Sequence, residues 1–165
     1  MSKIVYRHKW MSLCEGQYET PFVDLQSDGV MAVPIMDNGD VLLLSEFSVA
    51  YDRQILFLPA GAIDTGENPD ESANRELQEE VGYKAGRLDY LSTIYPLMKY
   101  VRGKINVYLA RDLTPGKLQG DESWELSIYR VAFKEFESLI GNGELQDSNV
   151  IAALYMARSF LAKEI

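Results

Sequence analysis

Gly61–Tyr83 reads GAIDTGENPDESANRELQEEVGY. Asp64, Glu67, Asp70, Glu71, Glu76, Glu79 and Glu80 crowd negative charge into it, against the lone basic residue Arg75. The local chemistry predicts a turn and then a helix. Asn68 suits a helix N-cap and Pro69 the first helical position. Glu71, three residues after Asn68, completes a capping-box pattern. The helix is expected to run to about Val81, with Gly82 as the left-handed residue that ends it. At about 100° per residue, Ala73, Leu77 and Val81 form one apolar stripe for a core. Glu76, Glu79 and Glu80 fall on an adjoining face, within roughly a 100° arc. Glu76 and Glu80 repel at i,i+4, and Arg75, at i,i+4 from Glu79, offsets part of that. A solvated acidic face is the ordinary fate of such a pattern. A cluster this dense also suits hard divalent cations, which take carboxylate oxygens and relieve the repulsion. The Ala60 carbonyl and Glu67 stand at the entry to the helix, where they can approach the same ions.

Outward from this stretch, apolar runs mark strands. Val30–Met36 (VMAVPIM) and Val41–Phe47 (VLLLSEF) flank Asp37-Asn38-Gly39-Asp40, and Asn-Gly is a strong hairpin signal. Ile55–Leu58 (ILFL) precedes Pro59-Ala60-Gly61. Further strands are expected over Arg87–Tyr95, Lys104–Ala110 and Glu125–Phe133, with a short helix over Lys134–Ile140. A last helix over about Ser148–Lys163 places Val150, Ile151, Leu154, Ala157 and Leu161 at helical spacing. Strands mostly follow one another, so the expected class is α+β, a mixed sheet covered by helices.

The chain has 165 residues, which suits one domain over 1–165, and 47% of them are hydrophobic. No apolar run reaches membrane-spanning length. The start, MSKIVYRHKW, lacks the apolar core of a secretory signal. One cysteine, Cys14, cannot form an internal disulfide, which agrees with a reducing compartment. A cytoplasmic protein is expected. Cys14 and His8 are too few for a zinc site. The net charge of −9 argues against nucleic-acid backbones and anionic membranes as partners. Small molecules remain, with metal cations as mediators.

The acidic stretch has an exact spacing. Gly61 is followed after five residues by Glu67, and after seven more by Arg75-Glu76-Leu77-Gln78-Glu79-Glu80-Val81-Gly82-Tyr83. This resembles the Nudix box, the signature of the Nudix hydrolases. Its fixed residues are all present, and a chance match at about 7% usage per type would occur about once in 10⁸ windows. Tyr83 stands where an aliphatic residue is commoner. FLPAGAIDTGE (Phe57–Glu67), VLLLSEF, the late acidic loop LQGDESWE (Leu118–Glu125) and SNVIAALYMARSFL (Ser148–Leu161) are similar to the ADP-ribose pyrophosphatase branch and its bacterial ADP-compounds hydrolases.

The resemblance implies an α/β/α sandwich with a central mixed sheet and a loop–helix–loop motif over residues 61–83. It implies Mg²⁺ or Mn²⁺ as cofactor, and hydrolysis of the pyrophosphate of ADP-ribose or related ADP compounds to AMP and a phosphorylated remainder. Other nucleoside diphosphate sugars, NADH, dinucleoside polyphosphates and damaged nucleoside triphosphates are the alternative substrates, and a non-catalytic nucleotide sensor the alternative class. Glu76, Glu79, Glu80 and the Ala60 carbonyl become metal ligands. Gly61, Glu67 and Arg75 support them. Glu122 is the expected general base, with Glu125 in reserve, so that Glu79, Glu122 and Glu125 form the catalytic set. Lys99 and Arg102 of MKYVRGK are candidates to meet substrate phosphates, and Trp10, Phe22, Phe47 and Tyr51 to stack on the base. Ser45 and Phe57 depart from the branch, which usually has Arg or Lys and Glu there. Residues 1–29 are read as shortened N-terminal strands, in the place of a subdomain through which many relatives form homodimers.

Overall fold

The structure is a computed structural model that describes residues 2–120 and 126–164. Among the described residues the strands form three sheets. The N-terminal one joins β1 (Lys3–Arg7), β2 (Met11–Glu15), β3 (Pro21–Leu25) and the short β9 (Val101–Arg102) in that order. The second runs β7 (Ala60–Ala62), β4 (Gly29–Pro34), β10 (Ile105–Pro115) and β8 (Tyr83–Ile94), and is mixed: β4 lies parallel to β10, and the other neighbours are antiparallel. The third is antiparallel, β11 (Ser127–Ala132), β5 (Asp40–Ser48) and β6 (Arg53–Phe57). Helices α1 (Pro69–Glu76), α2 (Phe136–Gly141) and α3 (Ser148–Leu161) pack on the second and third of these sheets.

The two-residue period of the strands explains the layers. Met31 and Val33, Val41 and Leu43, Val107 and Leu109 turn to one side and pack with Phe136, Leu139, Val150, Ala153, Leu154 and Ala157 of α2 and α3. The residues between them turn the other way. Ala32, Leu42, Leu44 and Ala110 meet Leu77 and Val81, while Val30 and Tyr108 meet Ala73. Strands β4, β5 and β10 are therefore apolar on both faces, as strands covered by helices on both sides must be. Ala73, Leu77 and Val81 are the stripe expected from the helical period, and all are buried. Burying a side chain such as Leu77 contributes about 1.5–3 kcal/mol.

Local differences from the sequence expectations have physical causes. The Asn-Gly turn forms, with Gly39 at φ 85°, and the Met36 amide donates to the Asp40 carbonyl at 2.8 Å. Yet β4 and β5 share only an Ile35–Val41 bridge before separating into different sheets. Both edges of β4 are already taken, by β7 and β10, so no hairpin ladder can extend. The acidic helix is not α-helical throughout: after Glu76 the residues Leu77–Val81 widen into a π-turn, ended by Gly82 at φ 80°. The strand expected at Arg87 starts at Tyr83, because the ladder with β10 runs on to Pro115–Tyr83. The short helix expected from Lys134 is a 3₁₀ turn over Phe133–Glu135 followed by α2, and the last helix ends at Leu161.

Candidate active site

The site begins at a sheet edge. Strand β7 pairs with β4 on one side only and is the outer strand of its sheet. The Ala32 amide donates to the Pro59 carbonyl at 2.9 Å and the Ile63 amide to the Asp28 carbonyl at 3.0 Å. In an antiparallel ladder, bonded pairs alternate with unbonded ones. Ala60 and Ala62 therefore direct their amides and carbonyls away from β4, toward the acidic helix. Two contacts agree: the Ala60 amide donates to Glu80 Oε2 at 3.0 Å, and Arg75 Nη2 donates to the Ala62 carbonyl at 3.0 Å.

Helix α1 presents the carboxylates to this edge. Its start is the capping box read from the sequence, with Glu71 Oε2 accepting from the Asn68 amide at 3.0 Å. Glu76, the last α-helical residue, is buried against Gly61. A β-carbon placed on Gly61 would lie 2.1 Å from Glu76 Oε1 and 2.6 Å from Oε2. Only glycine lets the carboxylate approach this backbone.

Arg75 sits among the acids. Its Nε donates to Glu67 Oε1 at 3.1 Å, and its Nη1 donates to Glu76 Oε1 at 2.8 Å and Glu79 Oε2 at 3.0 Å. Burial opposes its charge, but Glu76, Glu67 and Glu79 together hold the guanidinium protonated well above the ordinary arginine range. Glu67 also accepts from the buried Ser72 hydroxyl at 2.6 Å. That bond, aided by Arg75 and opposed by burial, lowers the Glu67 pKa.

The structure thus brings Ala60, Gly61, Glu67, Arg75, Glu76, Glu79 and Glu80 into one neighbourhood. Among the described residues, no three His, Cys, Asp or Glu side chains converge as a finished metal cage. The Arg75 guanidinium is the cation between the acids instead. The donor set itself is all oxygen, three carboxylates beside an outward-turned edge carbonyl, which fits a hard divalent ion and not a thiophilic one.

The remaining candidates lie elsewhere or beyond description. Glu122 and Glu125 fall outside the described residues. Arg102 grips Asp24 with two nitrogens, Nε at 2.8 Å, and stacks 5.0 Å from the Phe22 ring, tying β9 to β3. Lys99 lies 5.2 Å from the Tyr100 ring. Phe47 and Tyr51 are exposed at the β5–β6 hairpin, where Glu46, Phe47, Ser48, Val49 and Ile55 line a groove. Trp10 is exposed beside His8, ring centroids 5.0 Å apart, with Lys9 over it. Ser45 bonds Gln54, and Phe57 packs into the core.

Sequence reasoning missed three residues. Asn74 bonds both the amide (2.9 Å) and the carbonyl (3.1 Å) of Ala85, fixing α1 to β8. Ser72 orients Glu67. Lys117 reaches the Glu79 carbonyl. An Asn and a Ser within a helix are poor helix formers with side chains apt to bond backbone or neighbours, and that was the available signal for two of them. Nothing local marks Lys117.

A loop–helix–loop of this composition, laid on the free edge of a mixed sheet, defines a family. Residues 25–154 match the NUDIX domain, and the chain belongs to the Nudix hydrolases. It is 34% identical over 134 residues to the ADP compounds hydrolase NudE of Escherichia coli (strain K12), covering 81% of this chain and 72% of that protein. It is 28% identical over 127 residues to the ADP-ribose pyrophosphatase of Bacillus subtilis (strain 168), covering 76% and 69%. A crystal structure of an ADP compounds hydrolase matches with a TM-score of 0.85 at 29% identity, covering 99% of this chain and 93% of that one.

Proposed function

We propose that this protein hydrolyses the pyrophosphate bond of ADP-ribose or a related ADP-linked compound, giving AMP and a phosphorylated remainder, with Mg²⁺ or Mn²⁺ as cofactor. The observation that carries this is the set of Glu76 against Gly61, Glu80 on the Ala60 amide and Glu79 joined to them through Arg75, beside β7 in a Nudix hydrolase. The names of the two similar enzymes, an ADP compounds hydrolase and an ADP-ribose pyrophosphatase, support the substrate class.

Glu76, Glu79, Glu80 and the Ala60 carbonyl would hold the cations. When bound, divalent ions neutralise phosphate charge and make a bound water more acidic. The chain's own residues do the rest. Gly61 admits the Glu76 carboxylate to the strand edge. Arg75 fixes the orientation of Glu76 and Glu79 and limits their mutual repulsion, and Glu67 holds Arg75 in place. Glu122, with Glu125 in reserve, takes a proton from the attacking water, in the role of a general base. Lys99 and Arg102 meet phosphate oxygens, Arg102 by exchanging its bond to Asp24 for one to substrate. Phe47 and Tyr51 offer aromatic faces to the base.

We place the protein in the cytoplasm as a homodimer. No helix among the described residues is long and apolar enough to cross a membrane. Tyr6, Met11 and Leu13 expose apolar surface on the N-terminal sheet, whose other face buries Ser12 and Cys14, and such a face suits a second copy.

The test is a comparison of kcat/KM for ADP-ribose, ADP-sugars, NADH, dinucleoside polyphosphates and nucleoside triphosphates. ADP-ribose or another ADP compound is expected to lead. A triphosphate preferred by a wide margin contradicts the substrate assignment. Tight binding of ADP-ribose without turnover would indicate a sensor.

A further inference from the structure

The π-turn that carries Glu79 and Glu80 is held from outside the Nudix box. Three groups from consecutive residues after β10 reach its backbone. The Gly116 amide donates to the Gly82 carbonyl at 2.9 Å, and the Leu118 amide donates to the Gln78 carbonyl at 3.3 Å. Between them the Lys117 ammonium donates to the Glu79 carbonyl. The Lys117 stem crosses Gly82 so closely that a β-carbon there would lie 3.3 Å from its Cδ. The last carbonyls of a helix have no partners within it, and a cation there also opposes the negative end of the helix dipole. Residues 116–118 therefore form a strap over the end of the acidic helix, with one charged contact at the residue that bears a carboxylate.

We infer that Lys117 is a positioning residue for the carboxylate site: by holding the Glu79 carbonyl it fixes the turn from which Glu79 and Glu80 project. This rests on the proposal that those carboxylates bind the divalent cation. The Lys117 ammonium is engaged with the Glu79 carbonyl and not with a carboxylate of the site. Its action is through the backbone, as outer groups orient metal ligands elsewhere, where their loss costs about 10–100-fold in affinity or activity.

The experiment compares wild type, Lys117→Met and Lys117→Arg. Mn²⁺ binding is measured without substrate, thermal stability without metal, and kcat and KM with ADP-ribose. In Lys117→Met, Mn²⁺ affinity and kcat are expected to fall about 10-fold, with KM within about 2-fold. Metal-free stability should change little, because the two backbone bonds remain. Lys117→Arg, which keeps a cation on a long stem, should recover most of the loss. Wild-type binding with undiminished binding and kcat in Lys117→Met overturns the inference and leaves the site assignment standing. Equal loss of metal-free stability in both variants, with normal Mn²⁺ affinity, makes Lys117 merely structural and also overturns it. No Mn²⁺ binding by the wild type overturns both the inference and the site.

Discussion

At the scale of single residues, the site depends on close approach. Gly61→Ala puts a methyl group where the Glu76 carboxylate lies, 2.1 Å from Oε1. The carboxylate must turn away, so kcat/KM is expected to fall at least about 10-fold, while circular dichroism stays native. Wild-type kinetics in this variant would mean that Glu76 has no role. Glu80→Gln separates fold from chemistry. The amide oxygen of glutamine still accepts the Ala60 N–H, so thermal stability should shift by less than about 0.5 kcal/mol. The negative charge is lost, and turnover should fall on the order of 10²-fold or more. The carboxylates were legible in the sequence because one helix spaces them and short-range periodicity is enough to align them. Partners distant in sequence were not. Arg102 reads as a free cation until folding brings Asp24 to it, 78 residues away. Lys117 reads as any surface lysine until the end of β10 crosses the helix.

At the scale of elements, the loop before α1 is tied down by ionised groups. Ser72 and Arg75 stabilise the Glu67 carboxylate, against burial, and keep its pKa below the ordinary 4.5. The unfolded chain therefore takes up this proton at higher pH than the folded chain does. The stabilisation is complete above about pH 4.5 and is lost as pH falls through the lower folded value. Glu67→Gln has no such group to titrate. The gap in denaturant stability between wild type and Glu67→Gln is expected to be widest near neutrality and to narrow in acid. A gap independent of pH would show that the ion pair contributes nothing. Strand and helix existence followed from apolar runs such as VLLLSEF and from the stripe Ala73, Leu77 and Val81. The π-turn did not, since one widened turn leaves the apolar stripe in register with the core. The parallel pairing of β9 with β3 joins Val101 to Val23, and no local pattern records it.

At the scale of the whole molecule, two-sided strands explain why α1 and α3 occupy opposite faces, and the edge strand β7 explains why the acids gather on one of them. The N-terminal sheet is less completely covered. Its β2 turns Ser12 and Cys14 inward and leaves Met11 and Leu13 exposed, at 42% and 39%. Leu13 pairs across the sheet with Tyr6 and Val23, so one charge there disturbs the whole face. Sedimentation at micromolar concentration is expected to show a dimer for the wild type and a monomer for Leu13→Asp. A wild-type monomer would remove the proposed assembly without touching the chemistry. That chemistry is tested most directly by incubating the protein with ADP-ribose across a Mg²⁺ titration and identifying the products. The account predicts AMP and ribose 5-phosphate in equal amounts, formed at a rate that rises with Mg²⁺ and vanishes with chelator. Intact ADP-ribose, and equally intact ADP-sugars, NADH and dinucleoside polyphosphates, at every Mg²⁺ and Mn²⁺ concentration, from protein shown to be folded, would contradict it.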